Sequence, residues 1–175
     1  MIFYHEYFKD LFYDVQGEST TFVETGTSGG NGVKAALIAG YEKIYSMEIF
    51  EEQYNVTKNN FKEEDESLLN TKIFLYLGDS KIILPDILKL IPSDIRSVFW
   101  IDAHTSNSVT AYEELEIIKT HSLKNHTILV DDIPLYFENA SELKEKIWSI
   151  NSNYKIELIN CPILNRIDYR LIAYV

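Results

Sequence analysis

The chain alternates short apolar runs with segments that repeat apolar residues at helical spacing. Seven runs have strand composition, and most of them lead into an amphipathic or helix-forming segment. The predicted strands are residues 22–24, 43–50, 72–77, 97–101, 127–130, 155–160 and 169–175. The predicted helices are residues 1–16, 33–39, 51–61, 82–91, 107–121 and 141–150. This alternation indicates an α/β protein with a mostly parallel sheet, and the two closing strands, joined by a turn at 162–168, predict an antiparallel last strand.

Three further expectations concern the outside of this sheet. The apolar spacing in residues 1–16 predicts an amphipathic helix that lies on the edge of the sheet. The charged run at 62–66, KEEDE, predicts a solvated loop. In the predicted helix at 107–121, Glu113, Glu114 and Glu116 are expected on the solvent side. Each expectation places charged side chains in water, away from the core.

The turn after the first strand is rich in glycine. The apolar pair Phe22-Val23 ends on Glu24, and glycines follow at 26, 29, 30 and 32 before a helix-forming run that stops at Gly40. A strand, a glycine turn and a helix form the opening unit of nucleotide-binding α/β folds, where glycine lets a ligand approach the backbone. A turn that binds nothing does not need four glycines.

The spacing of these glycines fits the dinucleotide fingerprint G-x-G-x-x-G poorly. Gly30 and Gly32 could open that fingerprint, but Ala35 stands where its third glycine belongs. Glu24, at the end of the strand, is expected near the ligand, where it would repel a pyrophosphate and favour an ammonium and a sulfonium group. S-adenosylmethionine carries both groups, so we expect it in preference to NAD.

Composition and charge narrow the class further. The 175 residues, 46% hydrophobic and 25% charged, predict a single domain over 1–175, made of the helix at 1–16 and a core at 21–175. The net charge of −11 argues against a nucleic-acid partner. A single cysteine, Cys161, excludes an internal disulfide and suits a reducing compartment. Without a long apolar run or a signal peptide, the expected location is cytoplasmic, with no membrane partner.

Polar motifs close the second and third predicted strands. Glu48 follows the glycines at a spacing of about 20 residues, which is where an acidic residue bonds the ribose hydroxyls. Gly78, Asp79 and Ser80 follow the third strand. Because the carboxyl ends of parallel strands line the ligand crevice of a doubly wound sheet, we expect these four residues there.

Three aspartates close the fourth and fifth strands, which we expect to be neighbours. Asp102 follows one strand, and Asp131 and Asp132 follow the other. Such a cluster repels itself unless a proton or a cation joins it, and its oxygen ligands suit Mg²⁺, or Ca²⁺ or Mn²⁺ instead. In the alternative, Asp131 and Asp132 cap a loop and Asp102 alone faces the ligand. The metal site is the favoured interpretation.

His104 is the one histidine that the pattern places in the crevice, since His5, His121 and His126 are expected at the periphery. Histidine titrates near pH 6.5, which suits a general base at neutral pH. Stacking beside an adenine and packing in the core are equally open roles for His104.

In this order, the motifs resemble those of class I S-adenosylmethionine-dependent methyltransferases, and among them the metal-dependent O-methyltransferases of the catechol O-methyltransferase type. The first family motif is an acid followed by glycines two and six residues later, and Glu24, Gly26 and Gly30 match it. The family's ribose motif, Met-Glu at the end of the second strand, is matched by Met47 and Glu48. The resemblance covers residues 21–175.

The later motifs continue the resemblance, with one departure. The adenine-side motif Gly-x-Ser is matched at 78–80. The family's metal ligands, an aspartate and then an Asp-Asn pair, fall on Asp102 and on Asp131 and Asp132, with aspartate in place of asparagine. The family's catalytic lysine, three residues after the first metal aspartate, is replaced by Thr105. His104 is the expected substitute as base.

The resemblance implies a Rossmann-like methyltransferase fold, with a seven-stranded, mostly parallel sheet, an antiparallel last strand and helices on both faces. It implies catalysis by His104 and Asp102, and a metal bound by Asp102, Asp131 and Asp132. The implied cofactor site consists of Glu24, Thr25, Gly26, Thr27, Gly30, Gly32, Glu48, Ile49, Gly78, Asp79, Ser80 and Asp102.

The expected function is therefore S-adenosylmethionine-dependent, metal-assisted O-methylation of a small-molecule or sugar hydroxyl. One alternative is an NAD-dependent oxidoreductase on a Rossmann fold. Another is a non-catalytic, methyltransferase-like binding module, which the missing lysine favours and the acidic cluster opposes. The oligomeric state stays open, a homodimer being one outcome.

Overall fold

The computed structural model describes residues 4–105, 108–133, 140–160 and 169–175. Its strands are β1 (Thr21–Thr25), β2 (Lys43–Glu48), β3 (Ile73–Leu77), β4 (Ser97–Ile101), β5 (His104–Thr105), β6 (Ser108–Val109), β7 (Thr127–Val130), β8 (Lys155–Asn160) and β9 (Tyr169–Tyr174). Its helices are α1 (Tyr4–Gln16), α2 (Asn31–Ala39), α3 (Glu51–Asp65), α4 (Ser80–Leu90), α5 (Ala111–Ile118) and α6 (Ala140–Ile150), and a 3₁₀ turn covers Glu66–Leu68.

Seven of these strands form one sheet in the order β3-β2-β1-β4-β7-β9-β8. The first five are parallel to their neighbours, whereas β9 runs antiparallel to both β7 and β8. The predicted sheet, with its antiparallel last strand, is confirmed. Because β1 lies between β2 and β4, the strand order reverses beside it, and open α/β sheets bind their ligands at such a point.

Both faces of the central strands are buried, because successive side chains of a strand point to opposite sides. In β1, Phe22 packs in a cluster with residues of α1, α2 and α3, whereas Val23 packs in a cluster with residues of α4, α5 and α6. Every residue of β1, β4 and β7 is buried. Strands buried on both faces have continuous apolar sequences, which is why the apolar runs located these strands well.

Helix α1 lies across a face of the sheet and not on its edge, contrary to the expectation. Phe12 has no exposed surface, and its ring centroid lies 4.7 Å from that of Phe22 and 5.1 Å from that of Trp100. The hydroxyl of Tyr41 donates a hydrogen bond to the Phe12 carbonyl at 3.0 Å. The aromatic residues of α1 thus cover the two central strands β1 and β4.

Two helices are longer than their apolar patterns predict. Helix α3 continues through the charged run that was predicted to be a loop, and Lys34 on α2 bonds Glu64 of this run at 2.6 Å. Helix α4 begins at Ser80, two residues earlier than predicted, because the Asp79 carboxylate accepts the N–H of Lys81 at 2.9 Å and caps the helix.

The helix predicted at 107–121 is shorter. The segment before it pairs β5 with β6 in a short antiparallel hairpin, so α5 begins only at Ala111. This start also corrects the position of Glu114, which is fully buried and not on the solvent side. Cys161 and the predicted turn at 162–168 lie outside the described residues. Among the described helices, none has the length and apolar character to cross a membrane.

A buried histidine pair joins β4, β7 and the end of α4, and neither ring is peripheral as expected. The Ser97 N–H donates to Nδ1 of His126 at 3.1 Å, and Nε2 of His126 lies 3.0 Å from Nδ1 of His121. Nε2 of His121 in turn lies 3.3 Å from the carbonyl of Ile91. Burial, reinforced by the neighbouring cationic groups, lowers the pKa of His126 to about 3. The His126 ring is therefore neutral in the fold at pH 7.

This pair predicts acid sensitivity. The pKa of His126 is about 3 in the fold against an ordinary 6.5, so the unfolded chain binds an additional proton between these values. The contribution of His126 to the unfolding free energy is fully present above about pH 6.5. It falls as the pH drops toward 3, by at most about 1.4 kcal/mol per pH unit. Chemical denaturation of wild type and His126→Gln between pH 7 and pH 4 checks it. The variant should show a shallower loss, and parallel curves would contradict the role of His126.

Candidate functional site

A cleft of about 550 Å³ opens at the carboxyl ends of the parallel strands. Its walls come from the segments that follow β1, β2, β3, β4 and β7. The lining residues are 26, 28, 47–50, 53, 78–81, 102–104, 110, 131 and 132. The register explains this convergence, because Thr25 pairs with Ile101 and Ile101 with Val130, so that three strands end level.

The predicted site residues divide into those that line this cleft and those beneath it. The lining residues among them are Gly26, Glu48, Ile49, Gly78, Asp79, Ser80, Asp102, His104, Asp131 and Asp132. The others, which do not line the cleft, are Glu24, Thr25, Thr27, Gly30 and Gly32. The residues that do not line the cleft pack behind its wall.

Glu24 lies under the glycine turn, so it does not face the ligand as the sequence suggested. Its side chain is 2% exposed, and Ser46 Oγ donates to its Oε2 at 2.5 Å. A Cβ atom on Gly32 would lie 1.8 Å from its Oε1. Burial raises the pKa of Glu24 to about 8, despite the hydrogen bond from Ser46. A carboxyl with this pKa is mostly protonated at pH 7 and offers little charge to a ligand.

The glycine turn brings two backbone segments into close contact. Gly26 has a φ of +84°, and a Cβ atom there would lie 2.8 Å from the carbonyl oxygen of Asp102. Gly30, with a φ of +82°, precedes α2, and a Cβ atom there would lie 2.7 Å from Cγ2 of Thr57. Both positions need the positive φ and the small volume of glycine. The glycines therefore allow tight packing of this turn against β4 and α3, and Gly26 also lines the cleft.

Glu48 lines the cleft at the end of β2, as predicted. Its carboxylate is 5% exposed and accepts the N–H groups of Ser28 at 2.7 Å and Phe50 at 2.9 Å. Two backbone donors fix the carboxylate in place, and its remaining acceptor capacity faces the cleft. Ile49 and Phe50, about half exposed, flank it at the mouth of the cleft.

The residues after β3 form the wall next to Glu48. The Gly78 N–H donates to the Glu48 carbonyl at 2.7 Å, and Gly78 has a φ of +147°. Asp79 caps α4 through its side chain. Ser80 donates its hydroxyl to the buried Glu114 at 2.5 Å. This wall is therefore tied both to β2 and to α5.

Asp131, a member of the predicted metal triad, is paired with an arginine. Nε of Arg170 lies 2.7 Å from Oδ1 of Asp131, and the terminal nitrogen Nη2 lies 3.3 Å from Oδ2. The arginine is 1% exposed and the aspartate 8%. Burial raises the pKa of Asp131 to about 6, whereas the charge of Arg170 opposes this rise. The buried guanidinium already balances the charge of this aspartate, which disfavours a cation beside it.

The side chains that could together hold a cation include His104 and not Asp131. Among the described residues, Asp102, His104 and Asp132 each offer one ligand atom, and these atoms lie within 4.8 Å of one another. His104 Nε2 is 3.3 Å from Asp132 Oδ2, and Asp132 has a φ of +54°. Burial, and then the charges of Asp131 and Asp132, raise the pKa of Asp102 well above its ordinary value. Sequence analysis found two of the three members as metal ligands and the third as a base.

Sequence analysis missed two residues that shape this site. Arg170 comes from β9, and its guanidinium lies 4.9 Å from the ring centre of Phe8 and 5.6 Å from that of Trp100. An arginine inside the apolar strand at 169–174 was a signal that could have pointed to it. Glu114 was placed on the wrong side of its helix, because the predicted helix began too early.

Comparison with solved structures identifies the fold. The O-methyltransferase from Bacillus cereus, solved with S-adenosylhomocysteine, has a TM-score of 0.71 and 13% identity over 95% of this chain and 79% of its own. TomG from Streptomyces achromogenes, an O-methyltransferase of tomaymycin synthesis solved with S-adenosylmethionine, has a TM-score of 0.66 and 13% identity over 95% and 78%. The chain has the fold of the class I methyltransferases.

The methyltransferase fold does not by itself name the reaction. Precorrin 8w decarboxylase from Methanobacterium thermoautotrophicum has a TM-score of 0.64 and 20% identity over 95% of this chain and 88% of its own. No protein-family model matches the sequence, and no curated protein matches it either. The chemistry therefore has to be argued from the residues of the cleft.

The packing of Gly32 over Glu24 gives the first site prediction. Gly32→Ala should destabilise the fold, although alanine is the better helix former, because the new methyl group collides with the buried carboxyl. The expected cost in unfolding free energy is about 1–3 kcal/mol, measured by urea denaturation. Gly29→Ala is the matched control, since nothing lies within 4 Å of its Cβ position. Equal stability of the two variants would contradict this packing.

Proposed function

We propose that the protein binds S-adenosylmethionine in this cleft and transfers its methyl group to a hydroxyl of a small molecule or sugar. The observation that carries the proposal is Glu48, a carboxylate held by two backbone N–H groups on the wall of the cleft. A ribose presents two adjacent hydroxyl donors, and a carboxylate fixed at the end of the second strand accepts them. S-adenosylmethionine supplies a methyl group bound to a positively charged sulfur.

The walls of the cleft suit the remaining parts of this ligand. Ile49 and the segment 78–81 offer apolar and peptide surface beside Glu48, where an adenine would lie. Gly26 lines the cleft after β1, where the methionine part would lie. The same class of ligand is present in the similar structures from Bacillus cereus and Streptomyces achromogenes.

The charge of the cleft supports this ligand over NAD. Carboxylates of Glu48, Asp79 and Asp132 line the cleft, against the side chains of Lys81 and His104 among the described residues. Asp131 and Asp102 add little to this charge, because Arg170 neutralises Asp131 and the raised pKa of Asp102 favours its protonated form. This excess favours an ammonium and a sulfonium and disfavours a pyrophosphate. These carboxylates line the cleft, whereas Glu24 is buried beneath it.

The cluster of Asp102, His104 and Asp132 is proposed to hold a divalent cation at the reacting end. Two carboxylate oxygens and an imidazole nitrogen within 4.8 Å of one another fit one ion. Such a mixed donor set suits Mn²⁺ better than Mg²⁺, which prefers oxygen ligands throughout. A bound cation would lower the pKa of the acceptor hydroxyl. Asp102, His104 and Asp132 would also orient the acceptor hydroxyl relative to the cofactor beside Gly26.

His104 can serve as a ligand or as a base, but not as both through Nε2. A nitrogen lone pair that binds a cation cannot accept a proton. Without the cation, the carboxylate of Asp132 at 3.3 Å would orient the ring as a general base, the role expected from the missing lysine. A metal titration separates these two roles.

The cofactor proposal predicts tight binding of S-adenosylmethionine and S-adenosylhomocysteine, and no binding of NAD. Glu48→Gln should weaken binding by about 1.5–3 kcal/mol, or roughly one to two decades, because an uncharged amide replaces the carboxylate. Isothermal calorimetry measures this. Glu52→Gln, an exposed position on α3, is the control and should bind as wild type does. Tighter binding of NAD than of S-adenosylmethionine would sink the proposal.

The cation proposal predicts that Mn²⁺ raises the unfolding free energy by mass action, by about 2.7 kcal/mol at a hundred times the dissociation constant. Asp132→Asn should abolish this increment. Thermal melts with chelator and with excess Mn²⁺ or Mg²⁺ give the answer.

Asp131→Asn is the informative comparison. It should keep the Mn²⁺ increment but lower metal-free stability, by about 3–5 kcal/mol, because Arg170 loses its buried counter-charge. If Asp131→Asn abolishes the metal response and Asp132→Asn does not, the triad predicted from sequence is right and the histidine-containing set is wrong.

A further inference from the structure

Glu114 is a buried carboxyl group that the proposed transfer does not use directly. It lies in the first turn of α5, has no exposed surface and does not line the cleft. Three hydroxyl groups approach its oxygens: Ser80 donates at 2.5 Å and Thr25 at 3.1 Å, whereas Thr110, at 2.9 Å, shares its single proton with the Ala103 carbonyl, also at 2.9 Å. Burial raises its pKa, and these hydrogen bonds oppose the rise. A buried carboxyl is costly unless its oxygens are satisfied, and here three hydroxyls do this.

The three donors belong to three different segments around the cleft. Ser80 starts α4 and Thr110 directly precedes α5, and both residues line the cleft. Thr25 ends β1 and has no exposed surface. Ser80 is 34 residues from Glu114 along the chain, and Thr25 is 89 residues away. One carboxyl group therefore connects segments that the sequence keeps far apart.

The bond to Thr25 extends this connection to the acidic cluster. While the Thr25 hydroxyl donates to Glu114, its oxygen lies 3.2 Å from the N–H nitrogen of Asp102 and 3.4 Å from that of Ala103, and it accepts from both. The next residue, Gly26, is the one that passes close to the Asp102 carbonyl. The Thr25 hydroxyl, together with the Thr25 carbonyl that accepts the same Asp102 N–H at 3.2 Å, thus holds the peptide that leads into the proposed cation site.

We propose that Glu114 is a positioning residue of the cofactor cleft. It holds the wall at 78–81, beside the adenine end, at a fixed distance from the wall that carries Asp102 and His104. A carboxylate is suited to this, because it accepts from several hydroxyls at once, whereas an amide would turn two N–H donors toward them. The inference rests on the proposed function, since the ligand that the two walls must fit is S-adenosylmethionine.

Calorimetric titration with S-adenosylhomocysteine, well below the melting temperature of each variant, tests this role. Glu114→Gln should weaken binding about 10- to 100-fold, by analogy with residues that orient metal ligands from behind. Glu113→Gln is the matched control, because Glu113 is the adjacent residue on the same helix, is exposed and does not line the cleft. It should bind as wild type does.

A second variant separates positioning from general stability. Thr25→Val removes the hydroxyl without touching the cleft surface, so it can weaken binding only through what it holds. Combined with Glu114→Gln, it should add little, because both changes break the same connection. If Glu114→Gln does not fold, Thr25→Val decides alone.

The outcomes distinguish the two claims. Wild-type protein that binds neither S-adenosylmethionine nor S-adenosylhomocysteine would overturn the proposed function, and this inference with it. Wild type that binds, with Glu114→Gln or Thr25→Val less stable to urea but equal in affinity, would make Glu114 purely structural. That result would overturn the inference and leave the proposed function standing.

Discussion

Acidic side chains cluster where the parallel strands end, and they repel one another when they are ionised. The rest of the site depends on how this repulsion is reduced. Each buried group is stabilised by a different neighbour. Ser46 donates to Glu24, two backbone N–H groups to Glu48, three hydroxyls to Glu114, and Arg170 pairs with Asp131. The cluster of Asp102, His104 and Asp132 is where a cation would reduce the repulsion further.

The antiparallel last strand has a direct consequence for this edge. Because β9 runs against β7, with Val130 opposite Leu171, Arg170 comes to lie beside Asp131, just beyond the end of the parallel strand. The same guanidinium packs over the rings of Phe8 and Trp100. The N-terminal helix, the central strands and the acidic edge of the cleft are therefore connected through one buried arginine.

The strand pattern could be predicted from sequence because strands buried on both faces have continuous apolar runs, as in 97–101 and 127–130. The motifs after those strands followed from the same rule, since parallel strands present their ends together. The partners of the site residues could not be predicted in this way. Arg170 and Asp131 are 39 residues apart, and no local pattern pairs them.

Local signals also failed where two structures compete for one segment. The hairpin of β5 and β6 occupies the predicted start of α5, and Glu114, expected on the solvent side with Glu113 and Glu116, is buried. Glu24 was assigned to the ligand because it ends the first strand. Gly32, in the following helix, closes over it instead. Both errors concern whether a side chain is buried, and that depends on packing between segments that are distant in the sequence.

The most direct measurement is a crystal structure of the protein with S-adenosylhomocysteine. The account predicts the ribose hydroxyls on the Glu48 carboxylate, the adenine against Ile49 and the segment 78–81, and the amino-acid part over the backbone of Gly26. Glu24 should remain buried beneath Gly32 without touching the ligand. Density for the ligand elsewhere, or a Glu24 carboxylate turned out to bind it, would contradict the account.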